Sequence, residues 1–386
     1  MKNINPRQWS ASYYFFFFAA MASFAPFIVL YYQSLGLRGS QIGLLVAVPP
    51  IMSLWSGPFW TGFSDARSKH RWVFNGLTTG SITIVTGIAF VNDFWLLLLL
   101  AMMNAILFAP LPSLMDNAVV SLLGDQSNQY GRLRLWGSIG WGISALLAGI
   151  LVERFNIRWL FGVFAVFMLL GLLVSQRIPF TGQKSDSSFG KGVRTLLSNQ
   201  RWLLFLSATF VAGMGLTSVN NYLFPYMDEI GANEGLMGFA LTIGTISELP
   251  VFFFTDWLMK RFQIRGLLII AMATIGLRGL LYWWVSDPRI VLVIQLLNGL
   301  NFPVLWVAGV AYAKESAPPG LGATAQGIFG TTLFGFAGAA GGYLGGVLLE
   351  SVGGQAMFGV FGLIVLAGLP LFLIGERYMK PVPVTP

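Results

Sequence analysis

Four ionisable side chains stand inside apolar stretches of this sequence with no loop signal beside them: Asp116, Arg134, Glu248 and Arg278. Nearly every other charged residue lies in a polar connection or within a turn or two of one, where long side chains can reach the interface. A charge facing hydrocarbon at a helix centre costs at least about 2.5–3.5 kcal/mol, so each of the four is expected to point inward and find a partner. Their chemistry is that of binding and proton exchange. A guanidinium holds a carboxylate through two parallel hydrogen bonds, and a carboxyl set between burial and a cation can take up and release a proton. The expected couples are Asp116 with Arg134 and Glu248 with Arg278. At 1.5 Å per residue, Glu248 lies roughly 15 Å before the end of its helix and Arg278 roughly 20 Å beyond the start of the next, which brings both near the midplane.

Softer groups surround these four. Trp141 follows Arg134 by two helical turns and could offer a flat surface to a ring; it could equally fill space between helices. Asn220, Asn221, Asn298 and Asn301 can hydrogen-bond a polar solute or bind helices to one another. The aromatic run Tyr13 to Phe18 is expected to face lipid or pack between helices, and His70, the only histidine, to be solvated in a basic loop. With no cysteine, that single histidine and no carboxylate-rich cluster, no nucleophile, base or metal constellation is legible. Neither enzyme activity, nor a metal, nor another cofactor is expected, and no GxxxxGK[ST] phosphate loop points to ATP.

The elements that must position these residues are membrane helices. Of 386 residues, 55% are hydrophobic and 10% charged, against roughly 25% charged in ordinary soluble domains. Segments of about 20 apolar residues, long enough to cross a bilayer, recur along the chain. Twelve spans are expected, centred at about residues 21, 51, 82, 108, 142, 167, 213, 246, 275, 301, 335 and 365, giving an all-α membrane protein. The apolar run after MKNINPR is too long and too aromatic for a cleavable signal, so the first span is expected to be retained. One side of the predicted bilayer collects Arg7, Arg67, Lys69, Arg71, Arg177, Lys260, Arg261 and Arg377 among many others, and the opposite side only Arg38, Arg154, Arg158 and Arg289. That asymmetry places both termini in the cytoplasm of a plasma (inner) membrane protein. It also accounts for the net charge of +8 without a nucleic-acid partner.

The polar stretch from Ile178 to Arg201 divides the chain into an N-terminal six-helix half, residues 1–177, a cytoplasmic linker, residues 178–201, and a C-terminal six-helix half, residues 202–386. The halves echo one another. AGILVERF at Ala148 to Phe155 parallels GGVLLESV at Gly345 to Val352, and GPFWTGFSDARSKHR at Gly57 to Arg71 parallels LPVFFFTDWLMKRF at Leu249 to Phe262. Paired halves are the architecture of many secondary transporters.

GFSDARSKHR, with Gly62, Asp65 and Arg67, resembles the loop motif of the major facilitator superfamily. MDNAVVSLLGDQSNQYGRLRLWGSIGWG, Met115 to Gly142, resembles the bacterial phenylpropionate permease group and, more distantly, the lactose and nucleoside proton symporters. The span count, the linker and Pro26 extend the resemblance over nearly the whole chain. It implies that Asp116 and Arg134 contact the solute, that Trp141 stacks on it, and that Asp65 and Arg67 serve a cytoplasmic gate. Arg278 has a counterpart in the lactose symporters, whose eighth-helix carboxylate falls about one turn from Glu248. Asn298 and Asn301 stand where those proteins carry the histidine and glutamate of their proton pathway, which leaves Glu248 with Arg278 as the expected coupling couple. The expected function is alternating-access transport of a small organic solute by a monomer in the lipid bilayer, as proton-coupled uptake of an aromatic carboxylate of the phenylpropionate type. A sugar or nucleoside symporter, a uniporter or exporter, and a transport-dead membrane sensor are the alternatives.

Overall fold

A computed structural model describes residues 6–180, 196, 198–317 and 321–378; residues 181–195 and 197 of the expected linker lie outside the described residues. Every regular element among the described residues is helical. In chain order these are α1 (Arg7–Ser34), α2 (Gly39–Arg67), α3 (His70–Ile88), α4 (Phe94–Leu123), α5 (Tyr130–Arg154), α6 (Trp159–Ser175), α7 (Gln200–Glu229), α8 (Glu234–Phe253), α9 (Thr255–Trp284), α10 (Pro288–Ser316) and α11 (Thr324–Gly375). Where the sequence predicts twelve spans, nine helices among the described residues are long and apolar enough to cross a membrane. They are the elements named above other than α3 and the 17-residue α6, and α11, 52 residues in all, joins two helical stretches at a kink at Gly353.

Local chemistry explains where several helices start and bend. The carboxylate of Asp93 accepts the backbone N–H of Leu96 at 2.9 Å and caps α4, and the side chain of Asn199 does the same for Arg201 and Trp202 at the start of α7. Each satisfies donors that the first helical turn leaves without partners. Pro26 sits in a short 3-10 turn, Ala25–Phe27, within α1. Gln263 interrupts α9 at φ 59° and ψ 170°, and Gly353 interrupts α11 at φ 80° and ψ 168°. α10 is wound as a 3-10 helix over Gln295–Leu300.

The described residues pack as two units. The first holds the chain up to residue 180 together with Gly231–Thr245; the second holds the remainder of α7 to α11. Residues 231–245, which the sequence assigns to the second half, thus pack with the first unit. The core of the second unit is apolar and aromatic, with Trp202, Phe205, Ile275 and Phe329 all buried. Large apolar side chains also stand outward, among them Trp55 at 77% exposure, Trp284 at 81% and Phe253 at 82%. Such surfaces suit hydrocarbon and not water, and the chain is an integral membrane protein.

Glycines set the tightest helix pairs in the first unit. A Cβ on Gly140 would stand 2.2 Å from the carbonyl oxygen of Phe15, and one on Gly137 2.5 Å from the ring of Phe18, so α5 lies directly on α1. Along another edge α5 meets the first part of α8, where a Cβ on Gly149 would meet Glu234 O at 2.4 Å and one on Gly238 would meet Ala145 O at 2.5 Å. Thr242 Oγ1 donates to Gly142 O at 2.9 Å along that seam, and Glu153 closes its end by accepting from Asn233 Nδ2 at 2.9 Å and Gly235 N at 3.2 Å.

Candidate functional site

The first cluster is built on α1, α4 and α5. Tyr14, almost fully buried on α1, donates its hydroxyl to Asp116 Oδ1 on α4 at 2.6 Å. The ring of Tyr14 meets that of Tyr130 edge-on at 6.3 Å. Arg134 lies one turn before Gly137, and the close approach there of α5 to α1 sets its guanidinium over Phe18 at 4.0 Å and near the ring of Tyr14 at 5.6 Å. The direct Asp116–Arg134 ion pair expected from sequence is not formed. Asp116 is taken by a tyrosine hydroxyl, and Arg134 is held by its face on an aromatic ring, a cation–π contact favoured away from water. Such a contact leaves the N–H edges in the plane of the guanidinium open, and among the described residues none of them makes a hydrogen bond or ion pair. Two residues of the aromatic run, Tyr14 and Phe18, therefore pack in this cluster.

The second cluster is built on α8, α9 and α10. Arg278, 1% exposed, donates Nε to Tyr282 Oη at 2.9 Å, Nη1 to Asn298 Oδ1 at 2.7 Å and Nη2 to Gln295 Oε1. The amide of Asn301, oriented to satisfy its neighbours, accepts from Arg278 Nη1 at 3.1 Å and donates to Thr274 Oγ1 at 3.0 Å and Leu297 O at 3.2 Å. Asn298 Nδ2 in turn donates to Glu248 Oε1 at 2.7 Å. The expected Glu248–Arg278 couple thus runs through an amide and not through direct contact. The winding of α10 explains the arrangement: in a 3-10 helix side chains three residues apart eclipse one another, so Gln295 and Asn298 stack in line, with Asn301 next beyond them. Gly299 lets the chain come close at this point. Its N–H donates to Ser247 Oγ at 2.9 Å, and a Cβ on it would stand 2.0 Å from Ser247 O.

Other predicted residues stand apart from both clusters. Asn220 is exposed and Asn221 half-buried on α7, and neither makes a hydrogen bond among the described residues. Trp141 is half-buried and has no ring partner among them. Asp65 Oδ1 lies 3.6 Å from His70 Nδ1, which also contacts Ser64 Oγ at 3.1 Å, while Arg67 folds back over the ring of Phe63 at 4.8 Å. His70 is therefore not a loop residue; it begins α3 with a side chain only 13% exposed. A cavity of about 780 Å³ lined by Ser34, Thr86, Phe90, Asn156, Arg158 and Trp159 contains none of the predicted site residues. Among the described residues no group of three or more His, Cys, Asp or Glu is placed to hold a metal ion.

Sequence reasoning missed Tyr14, Phe18, Gln295, Tyr282 and Thr274. The one signal available was spacing: Gln295, Asn298 and Asn301 recur every third residue, which an α-helical reading spreads around the axis and a 3-10 turn brings into line.

Two curated relatives match most of this chain. A maltose permease of Geobacillus stearothermophilus is 25% identical over 95% of this chain and 93% of its own length. A probable 3-phenylpropionic acid transporter of Escherichia coli strain K12 is 25% identical over 79% of this chain and 81% of its own. Among solved structures, that of the nucleoside transporter NupG superposes with a TM-score of 0.87 at 17% identity, covering 97% of this chain and 100% of that one. Residues 8–360 match the model described as the MFS_1 like family. With that match across most of its length, on an all-helical fold shared with a solved transporter, this chain belongs to the MFS_1 like family of major facilitator transporters.

Proposed function

We propose that this transporter carries a small organic acid with an aromatic or apolar body, of the phenylpropionate kind, and that the solute carboxylate binds on the open N–H edges of Arg134. The observation that carries the reading is the contrast between the buried Arg278 and the half-buried Arg134. Arg278 spends its donors on Tyr282, Asn298, Gln295 and Asn301; Arg134 spends none, and its face is fixed by Phe18. A guanidinium held in place with unused parallel donors is prepared for a carboxylate. Asp116, already engaged by Tyr14, adds an acceptor for a solute hydroxyl or amine, and the half-buried Trp141 and the amides Asn220 and Asn221 are candidates for contacts to the solute body. The probable 3-phenylpropionic acid transporter among the relatives supports this class. The maltose and nucleoside transporters support a second reading, a polyol-rich solute held by the same carboxylate and amides.

Transport is by alternating access of two six-helix halves, residues 1–177 and 202–386, with both termini cytoplasmic and the chain acting as a monomer. Twelve crossings follow if α3 and α6 each cross once and α11 turns back at Gly353: its 52 residues would extend roughly 78 Å at 1.5 Å per residue, against a core of about 30 Å. Asp65 and Arg67 serve the cytoplasmic gate, and Glu248 is the acid that couples transport to protons. The test is binding and uptake in proteoliposomes with labelled 3-phenylpropionate, maltose and uridine. Arg134→Lys keeps the charge but cannot offer the paired donors, and is expected to weaken the acid by about 10–100-fold, the worth of one charge-assisted hydrogen bond at about 1.5–3 kcal/mol. Displacement by maltose or uridine with no effect of aryl acids overturns the solute class. Glu248→Gln is expected to abolish accumulation driven by a pH gradient while exchange persists; normal accumulation moves the coupling role to Asp116, and a wild type indifferent to the gradient is a uniporter or uses another ion.

A further inference from the structure

We propose that Asn298 is a positioning residue for Glu248: it stands between the carboxylate and Arg278 so that a proton can come and go without breaking the cage around the guanidinium. The proposal rests on the reading of Glu248 as the coupling acid. Arg278 is 1% exposed and has acceptors on Nε, Nη1 and Nη2 from one tyrosine and three amides. None of those acceptors is a carboxylate, so its hydrogen bonding does not depend on the state of Glu248. In a direct ion pair, protonation of the acid would strand a buried cation without its partner, which is strongly unfavourable. The amide avoids this. Its oxygen is committed to Arg278 and its nitrogen to Glu248 Oε1, and an N–H donor serves a carboxylate oxygen and the carbonyl oxygen of a neutral carboxyl alike.

The second oxygen, Glu248 Oε2, makes no hydrogen bond among the described residues, which leaves it as the atom that accepts the proton. The charged and titratable groups set toward Glu248 are few. Among the described residues, α9 presents Arg278 and, behind it, Tyr282, and α10 presents the amides of Gln295, Asn298 and Asn301. α8 itself contributes the hydroxyl of Ser247, whose contact with Gly299 N at 2.9 Å fixes the register of Asn298 against Glu248. Asn298 is neutral in every step, so it holds the geometry while the charge beside it changes.

The experiment is an infrared pH titration of the purified protein, in which the carbonyl band of the protonated Glu248 carboxyl is assigned by its loss in Glu248→Gln, run beside solute exchange in proteoliposomes. In Asn298→Asp a second carboxylate faces Glu248 and pairs directly with Arg278, and in Asn298→Leu the donor is gone; both changes disfavour the ionised acid, so the midpoint is expected to move to higher pH by about one unit or more. Asn298→Gln, which keeps the amide, is expected to return the midpoint toward the wild type and guards against misfolding of the other two. A midpoint unchanged in Asn298→Asp and Asn298→Leu overturns the proposal, as does a wild type with no titrating band assignable to Glu248. Normal gradient-driven accumulation by Glu248→Gln would instead defeat the assignment of the coupling acid, a separate outcome read from transport and not from the band.

Discussion

Gly299→Ala changes no polar group, yet it is expected to uncouple the second cluster. The new Cβ would stand 2.0 Å from Ser247 O and 2.8 Å from Ser247 C, both backbone atoms beside Glu248. Restoring an ordinary contact of about 3.5 Å requires α8 and α10 to part by roughly 1.5 Å along that line. The Glu248–Asn298 hydrogen bond is 2.7 Å long, so somewhat more than half of that movement carries it beyond about 3.5 Å, where such a bond is no longer made. Overpacking of this kind costs about 1–3 kcal/mol, and the lost bond to a carboxylate about 1.5–3 kcal/mol when its partners stay buried. Thermal unfolding in detergent and pH-gradient-driven accumulation in proteoliposomes read the two effects. Gly76→Ala is the control, since a Cβ there meets nothing within 4 Å. A Gly299→Ala protein as stable and as well coupled as the control would refute the reasoning, because the backbone contact would then be soft enough to absorb a methyl group.

Tyr14→Phe removes the 2.6 Å bond to Asp116 and is expected to lower solute affinity by about 10–100-fold, read by competition binding, with the fold retained. Asp93→Ala removes the cap of α4 and is expected to lower stability by about 0.5–2 kcal/mol with affinity unchanged, read by unfolding and binding on the same preparation. Co-expression of residues 1–185 and 195–386 as separate chains is expected to restore part of the transport; inactivity despite insertion of both chains would give the linker a mechanical role.

The residues most legible in the sequence were those that pay a visible penalty for their position. Asp116, Arg134, Glu248 and Arg278 stood out because hydrocarbon does not tolerate an unpartnered charge, and all four take part in hydrogen bonds or cation–π contacts with side chains of other helices. What escaped was the identity of the partners. Tyr14 and Phe18 sit in an apolar run whose composition fits lipid as well as a site, and nothing local to them reports that Asp116 and Arg134, about a hundred residues or more away, lie alongside. Complementary charge suggested direct couples, whereas packing left room for an aromatic face on one arginine and an amide before the other. Helix length was legible only in part. α11 is two helical stretches joined at a kink at Gly353, between the spans expected near residues 335 and 365, whereas α6 is 17 residues long, shorter than the window of about 20 apolar residues assumes.

The 3-10 winding of Gln295–Leu300 has a mechanical consequence. Relaxing that stretch to ordinary α winding would carry Asn298 about 60° round the axis from Gln295, since three residues then cover some 300° and no longer a full turn. Arg278 could not keep both amides. The guanidinium therefore acts as a pawl on the twist of α10: while it is gripped the helix cannot unwind by even a fraction of a turn, and any torsion applied to α10 from its ends must either stop there or release the cation.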